Sequence, residues 1–173
     1  LMPVGSFPGR RNWGYDSVLP FAPAEAYGTP LELQALIDEA HRLGLMVFID
    51  VVYNHFGPEG NWLPHYAGAF FDARRDTPWG PAINFDHPVV RAFFLENALM
   101  WLCDYRADGL RLDAAHAIDN EPFLVWLAAR IREQTDPDRH VHLMLENEHN
   151  SAHLLRHGYD AQWNDDTHHI LHT

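Results

Sequence analysis

The sequence predicts an α/β fold built on a parallel sheet, and three observations predict it. Apolar runs of strand length at 45–50, 109–113 and 141–146 each end on an acid: Asp50, Asp113 and Glu146. Segments with helical periodicity lie between those runs. The resulting alternation of strand and helix calls for right-handed crossovers, which set the strands parallel. A parallel barrel presents acids in this way, because the C-terminal ends of its strands open onto the functional face. About five strands are counted, fewer than the eight of a closed (β/α)8 barrel. The chain is therefore either a smaller open α/β domain or a piece of a barrel.

Each element has a local reason. Residues 14–19 read as a short strand ending at Pro20. Thr29-Pro30-Leu31-Glu32 opens a helix: Thr29 caps, Pro30 suits the first helical position and Glu32 completes a capping box. Leu33, Leu36, Ile37 and Ala40 share one face of it, and Gly44 ends it. The run at 45–52 is apolar on both faces, as a buried parallel strand should be. Residues 53 to about 87, rich in Gly, Pro, Asn and aromatics, form a long connecting loop of the size that usually carries function. Helices are predicted over 89–105 and 122–132, and strands over 109–113 and 141–146. A short helix over 151–157 stops at Gly158, and Ala161-Gln162-Trp163 opens another strand. No linker or close repeat divides residues 1–173, which are read as one domain.

Composition excludes several classes. Hydrophobic residues make up 47% of the 173, enough for a packed core and against disorder. The net charge of -12 argues against nucleic acid, whose backbone wants a basic face, and leaves a neutral ligand as the better fit. No apolar run is long enough to span a bilayer, and the first residues lack the basic-then-apolar plan of a signal peptide, so no membrane partner is expected. Cys103 is the only cysteine, which forbids an internal disulfide and fits a reducing, cytoplasmic compartment.

The strand ends carry the chemistry. Arg111 lies two residues before Asp113 and shares its strand face, so its guanidinium should hold Asp113 ionised and its pKa low, as suits a nucleophile. A purely structural Arg–Asp pair is the competing reading. Glu146 follows Leu143-Met144-Leu145, and an apolar wall there would raise its pKa toward that of a general acid. An acid near a helix N-cap is the competing reading. Two such carboxyls are what cleavage of a glycosidic bond requires. Asp50, Asn54 and His55 add an acceptor, an amide and an imidazole in one short stretch before the long loop. His140 and His142 alternate on one strand, followed by Glu148-His149, and His168-His169 trails Asp165-Asp166. Their spacing matches no closed zinc site, so no metal is assigned. Glycine-rich phosphate loops and a Gly-x-Ser-x-Gly elbow are absent from the sequence.

Taken together, the three strand ends resemble the signature regions of the α-amylase family of glycoside hydrolases. Asp50-Val51-Val52-Tyr53-Asn54-His55 is similar to the first region. Gly109-Leu110-Arg111-Leu112-Asp113-Ala114-Ala115-His116 is similar to the second, and Leu145-Glu146-Asn147 to the third. The resemblance implies a partial (β/α)8 barrel covering roughly strands two to six. It implies Asp113 as nucleophile, Glu146 as acid/base, Arg111 as the family's arginine and Asp50 as its brace. It further places Asn54 and His55 beside the sugar at the cleavage subsite and His116 on the leaving-group side. Tyr15 and Trp163 become candidate sugar platforms, with core packing as the competing role. The substrate it implies is a neutral α-glucan oligosaccharide. No cofactor follows: the loop after Val52 lacks an acidic calcium pattern, so calcium is not assigned.

Within that family, longer stretches sharpen the resemblance. Trp13-Gly14-Tyr15-Asp16, Glu25-Ala26-Tyr27-Gly28, Thr77-Pro78-Trp79-Gly80 and Asp160-Ala161-Gln162-Trp163 are similar to members that hydrolyse the α-1,4 bond next to a terminal trehalose and release it. Glycogen branching and debranching enzymes share parts of the first of these blocks. Non-catalytic amylase-like binding modules form a third class, which the presence of both carboxylates disfavours. The family's fourth region, with a third catalytic aspartate, is not found, and Asp165 and Asp166 come too soon after Glu146 to supply it. The expectation is a segment of a larger catalytic domain, inactive by itself.

Overall fold

A computed structural model describes residues 1–163 and 165–172. Asn164, Thr173 and the side chains of Asp165, Asp166, His168 and His169 lie outside the described residues, and with them the acid and histidine pairs noted above. The chain opens with a two-stranded antiparallel ribbon, β1 (Gly5–Ser6) and β2 (Leu19–Pro23). The strand expected over 14–19 starts later, at Leu19. Gly14 is in the left-handed region at φ 96°, and a Cβ there would stand 2.0 Å from the Pro3 carbonyl oxygen, so the chain turns instead of extending. Pro20 is tolerated because a two-stranded ribbon leaves an edge that needs no donor.

Helix α1 (Pro30–Arg42) begins as its sequence dictates. Thr29 Oγ1 accepts the Glu32 N–H at 3.3 Å, and Glu32 Oε2 accepts the Thr29 N–H at 2.7 Å. Gly44, at φ 75°, follows its last turn. Strand β3 (Phe48–Val51) is shorter than the apolar run around it, and Leu45 and Met46 are exposed. The 53–87 segment holds structure that its composition hides. It contains α2 (Leu63–Tyr66) and an antiparallel hairpin of β4 (Phe71–Thr77) and β5 (Gly80–Ile83). Thr77 Oγ1 pins the hairpin turn, donating to the Gly80 carbonyl at 2.9 Å and accepting the Trp79 N–H at 3.2 Å.

Helix α3 (Pro88–Leu99) runs on as a π-helical turn over Met100–Asp104. Strand β6 (Gly109–Leu112) leads into α4 (Ala115–Ile118), which the sequence did not predict, and α5 (Glu121–Gln134). Strand β7 (His142–Glu146), a 3-10 helix over Ala152–His157, β8 (Ala161–Trp163) and α6 (Asp165–His172) complete the order.

Four strands form one parallel sheet in the order β3-β6-β7-β8, so neighbours in space are also successive along it. Beyond β3, Leu1 adds two backbone bonds, its amine donating to Phe48 O at 2.6 Å and its carbonyl accepting the Asp50 N–H at 3.0 Å. This is the open arc of a parallel barrel, as expected. Alternation along the strands divides the residues by face. Ile49, Val51, Leu110, Leu112, Leu143 and Leu145 join the buried core with Phe94, Leu102, Phe123, Leu127 and Ile131. Each such side chain contributes roughly 1.5–3 kcal/mol when fully buried. The other face carries Asp50, Arg111, Met144 and Glu146. Gly109 is required on it, because a Cβ would stand 2.3 Å from the His142 carbonyl oxygen and 2.6 Å from the Phe48 ring.

One buried polar group locks the layers together. Asn97 of α3 accepts from the Tyr53 hydroxyl at 2.8 Å and from the Trp101 indole at 3.2 Å, and donates to the Pro20 carbonyl at 2.8 Å. Three of the four bonds the amide can make are thereby formed, which offsets its burial in an apolar layer.

Candidate active site

Register delivers the charged residues to one place. Asp50 on β3 lies opposite Arg111 on β6. Asp113 follows β6 by one residue, and Glu146 ends β7. All four meet at the C-terminal rim of the sheet. The Arg111 guanidinium spans three carboxylates: Nη1 stands 2.5 Å from Asp50 Oδ2 and 3.1 Å from Asp113 Oδ1, while Nη2 stands 2.8 Å from Glu146 Oε2. A planar fork with several donors suits such bridging better than a lysine would. The Tyr15 hydroxyl donates to Asp50 Oδ2 at 3.0 Å, and Asn54 Nδ2 donates to the Asp113 carbonyl at 2.9 Å and to its Oδ2 at 3.2 Å. His55 Nδ1 bonds Asn54 Oδ1 and so fixes that amide.

Ala114 supplies a contact that no sequence signal announces. It adopts the left-handed region at φ 40°, uncommon for a residue with a Cβ, and its N–H donates to Glu146 Oε2 at 2.8 Å. Glu146 is thereby held beside Asp113 by the backbone of the next residue. The surroundings of Glu146 are more polar than its sequence neighbours suggest, with Trp163 opposite it on β8. Leu143 and Leu145 turn into the core on the other face, and Glu146 is bonded by Arg111 and the Ala114 amide.

Three acids on one guanidinium leave an excess of negative charge in a largely buried place. Burial pushes the Asp113 carboxyl up, and Asp50 and Glu146 add to the effect. Arg111 and Asn54 oppose it and lose, so the group reaches about 6. The expectation that Arg111 holds Asp113 low is thus corrected: one guanidinium is shared among three acids. Asp50 is likewise raised, first by burial and against the pull of Arg111. Burial would lower the Arg111 pKa, but its carboxylate partners outweigh that and raise it. Burial and Asp50 push the Tyr15 phenol up to about 12, and burial pulls His55 down.

The remaining predicted residues flank this cluster. Trp163 is 51% exposed, so it is not a core residue, and the Arg111 guanidinium carbon stands 4.5 Å from its ring centroid. His116, on α4, stands 3.9 Å from Glu148 and edge-on to His149 with ring centroids 5.8 Å apart. Its Nδ1 is buried without a hydrogen-bond partner among the described residues. His116 and His149 line an open cleft of about 400 Å³ with Arg75, Thr77 and Asp119. Trp79, at the tip of the hairpin, stacks on His55 at 5.4 Å. Sequence reasoning assigned no role to Trp79, His149 or Arg75, because the hairpin that brings two of them to the rim was read as loop.

The fold and site define a class: a segment of a parallel (β/α) barrel with a buried carboxylate–arginine cluster at its C-terminal rim. Comparison with known proteins narrows that class. A family model described as the α-amylase catalytic domain matches residues 1–76. The chain is 44% identical over 98% of its length to a malto-oligosyltrehalose trehalohydrolase of Deinococcus radiodurans, and 42% identical over 99% to one of Saccharolobus solfataricus. It covers 28% and 32% of those two proteins. A crystal structure titled a putative α-amylase of Salmonella typhimurium superimposes on 99% of the chain with a TM-score of 0.91 at 46% identity, the chain covering 31% of it. The chain belongs to the α-amylase family and corresponds to about a third of its relatives' length.

Proposed function

We propose that this segment carries part of the active site of a retaining glycoside hydrolase, which cleaves the α-1,4 bond next to the terminal trehalose of a malto-oligosyltrehalose and releases trehalose. One observation carries the reading. Asp113 and Glu146 stand at the ends of adjacent parallel strands, joined through Arg111, with Glu146 bonded to the amide that follows Asp113. The relatives named above support the choice of substrate.

Asp113 is the nucleophile. Above about pH 6 it is ionised, and it attacks the anomeric carbon of the glucosyl unit adjoining trehalose. Glu146 turns from Arg111 to protonate the departing glycosidic oxygen. The glucosyl ester on Asp113 is then opened by water, with Glu146 taking the proton, so the anomeric configuration is retained. Such a double displacement works with carboxyls about 5–5.5 Å apart, and the shared contact of both with Arg111 supports a short separation. Asp50 and Tyr15 hold the far side of Arg111. Asn54 orients Asp113, and His55, backed by Trp79, faces the glucosyl unit being transferred. His116, lining the cleft with His149, stands toward the leaving trehalose. Trp163 offers the edge of an exposed ring to the sugar chain. Residues 1–173 form one part of a single catalytic barrel domain. A cytoplasmic setting suits a chain whose only cysteine, Cys103, is free and exposed.

The test is product analysis with a complete enzyme carrying this segment. Maltotriosyltrehalose should yield trehalose and maltotriose, the new reducing end appearing first as the α-anomer by NMR. Transfer products on amylose or glycogen without trehalose would move the enzyme to the branching or debranching group.

A further inference from the structure

At the opposite end of the sheet the fold assembles a second cluster. His140 and His142 lead into β7, and Asp160 immediately precedes β8. One ligand atom from each of the three lies within 4.8 Å of the other two. We propose that His140, His142 and Asp160 bind one divalent transition cation, with Zn²⁺ as the fitting ion, clamping the starts of β7 and β8.

The donor set suits that ion. Two imidazoles and a carboxylate select zinc and its neighbours over magnesium or calcium, which want oxygen alone. Zinc held by three such ligands completes a tetrahedron with water. With bonds near 2 Å, its ligand atoms stand roughly 3.3 Å apart. His140 Nε2 and Asp160 Oδ1 already stand 3.0 Å apart, and the two histidine rings have centroids 4.4 Å apart. The three ligand atoms lie within 4.8 Å of one another, and the His140 side chain, 61% exposed, is free to adjust.

The carboxylate is also pre-oriented. Asp160 Oδ2 accepts the Leu143 N–H at 2.8 Å and the Arg132 guanidinium at 2.7 Å, which leaves Oδ1 facing the histidines. His142 is steadied by an edge-on contact with Phe48 at 5.4 Å. Such outer contacts fix ligand orientation at metal sites. Arg132, bonded to Asp160, opposes a second positive charge and weakens the site. The chain pattern alone could not show the site, because Asp160 lies on the next strand.

The experiment uses the complete enzyme, stripped with chelator and titrated with Zn²⁺ by calorimetry, with Co²⁺ absorption as a second readout. Wild type should take up one equivalent that binds more than about tenfold more weakly in His140→Ala and in His142→Ala. It should show the visible bands of tetrahedral Co²⁺, absent from the double variant. Oligosaccharide hydrolysis should be unchanged in all three variants, because the cluster is at the other end of the strands from Asp113. His140→Ala removes an exposed ring and serves where His142→Ala fails to fold. No uptake by wild type, or equal stoichiometry and affinity in the double variant, would overturn the proposal.

Discussion

The two ends of one parallel sheet treat carboxylates in opposite ways. At the N-terminal end, each acid is matched. Asp108 accepts the Val47 N–H at 2.7 Å and faces His41 at 2.8 Å. Asp160 accepts the Leu143 N–H and pairs with Arg132 and His140. Burial alone would raise Asp160, but those bonds outweigh it, and its pKa is lowered. At the C-terminal end, Asp50, Asp113 and Glu146 share one guanidinium, and Asp113 is raised to about 6. Asp113, after β6, and Asp160, before β8, stand at opposite ends of one sheet, and their pKa values move in opposite directions. What differs is the number of donors per acid. At the strand starts a backbone N–H and a cation complete one carboxylate's shell, whereas at the rim three acids share one guanidinium and the Ala114 N–H goes to Glu146 alone of the three. Asp160 is satisfied, and Asp113, the acid to which the proposed mechanism gives the chemistry, is left short of partners.

Removing the under-partnered acid tests this most sharply. On the proposed mechanism, Asp113→Asn in a complete enzyme should lower turnover by roughly 10⁴-fold or more, because it removes the nucleophile and keeps the fold. The stability effect has the opposite sign. A raised folded-state pKa favours the neutral form, so Asp113 stabilises the fold below the ordinary carboxyl range and loses that contribution as pH rises through about 6. At pH 7 the ionised group therefore costs stability, on the order of 1–3 kcal/mol. Asp113→Asn should raise the thermal midpoint at pH 7 and leave it nearly unchanged at pH 4. A midpoint that falls at pH 7 would show that Asp113 is as well matched as Asp160.

The pH profile gives a smaller and more specific effect. The kcat/KM of wild type should fall as pH drops through about 6, where Asp113 takes up a proton. Asp50 is one of the charges that raises Asp113, so Asp50→Asn should move this acid limb to lower pH by roughly one unit. An unmoved limb would mean that burial alone sets the Asp113 pKa and that the shared guanidinium is irrelevant to it.

Much of the rim was legible in the chain. The acids at three strand ends, Arg111 on the face of Asp113, the Thr29–Glu32 capping box and the stop at Gly44 all follow from period, spacing and local bonding. These are short-range rules. What escaped depends on the third dimension. The β4–β5 hairpin is carried by an unpromising strand, Phe71-Asp72-Ala73-Arg74-Arg75-Asp76-Thr77, in which Asp72 is bonded by Arg74, and no alternation of apolar residues marks it. Its tip delivers Trp79 to His55. The left-handed Ala114 has no sequence signature at all. The Asp113 pKa was expected low because one neighbour, Arg111, was visible two residues away, while its two rivals, Asp50 and Glu146, arrive from other strands.

The matched end supplies the smallest prediction and the mirror image of the first. Asp160→Asn keeps the shape but loses the charge that meets Arg132 and His140, and it weakens the bond from Leu143 N–H. At pH 7 it should destabilise by about 1–3 kcal/mol, the usual consequence of leaving a charged partner short of its acceptor. A lowered folded-state pKa means that the contribution of Asp160 is present above the ordinary carboxyl range and is lost as pH falls through its depressed pKa. The difference in thermal midpoint between Asp160→Asn and wild type should therefore be largest near neutrality and shrink in acid. Asp113→Asn also differs most from wild type near neutrality, but with opposite sign. Turnover per folded molecule should be unaltered by Asp160→Asn, since the strands separate it from the rim. If both substitutions shifted the midpoint in the same direction at pH 7, the contrast between a completed and a starved carboxylate would fail, and burial depth alone would explain both.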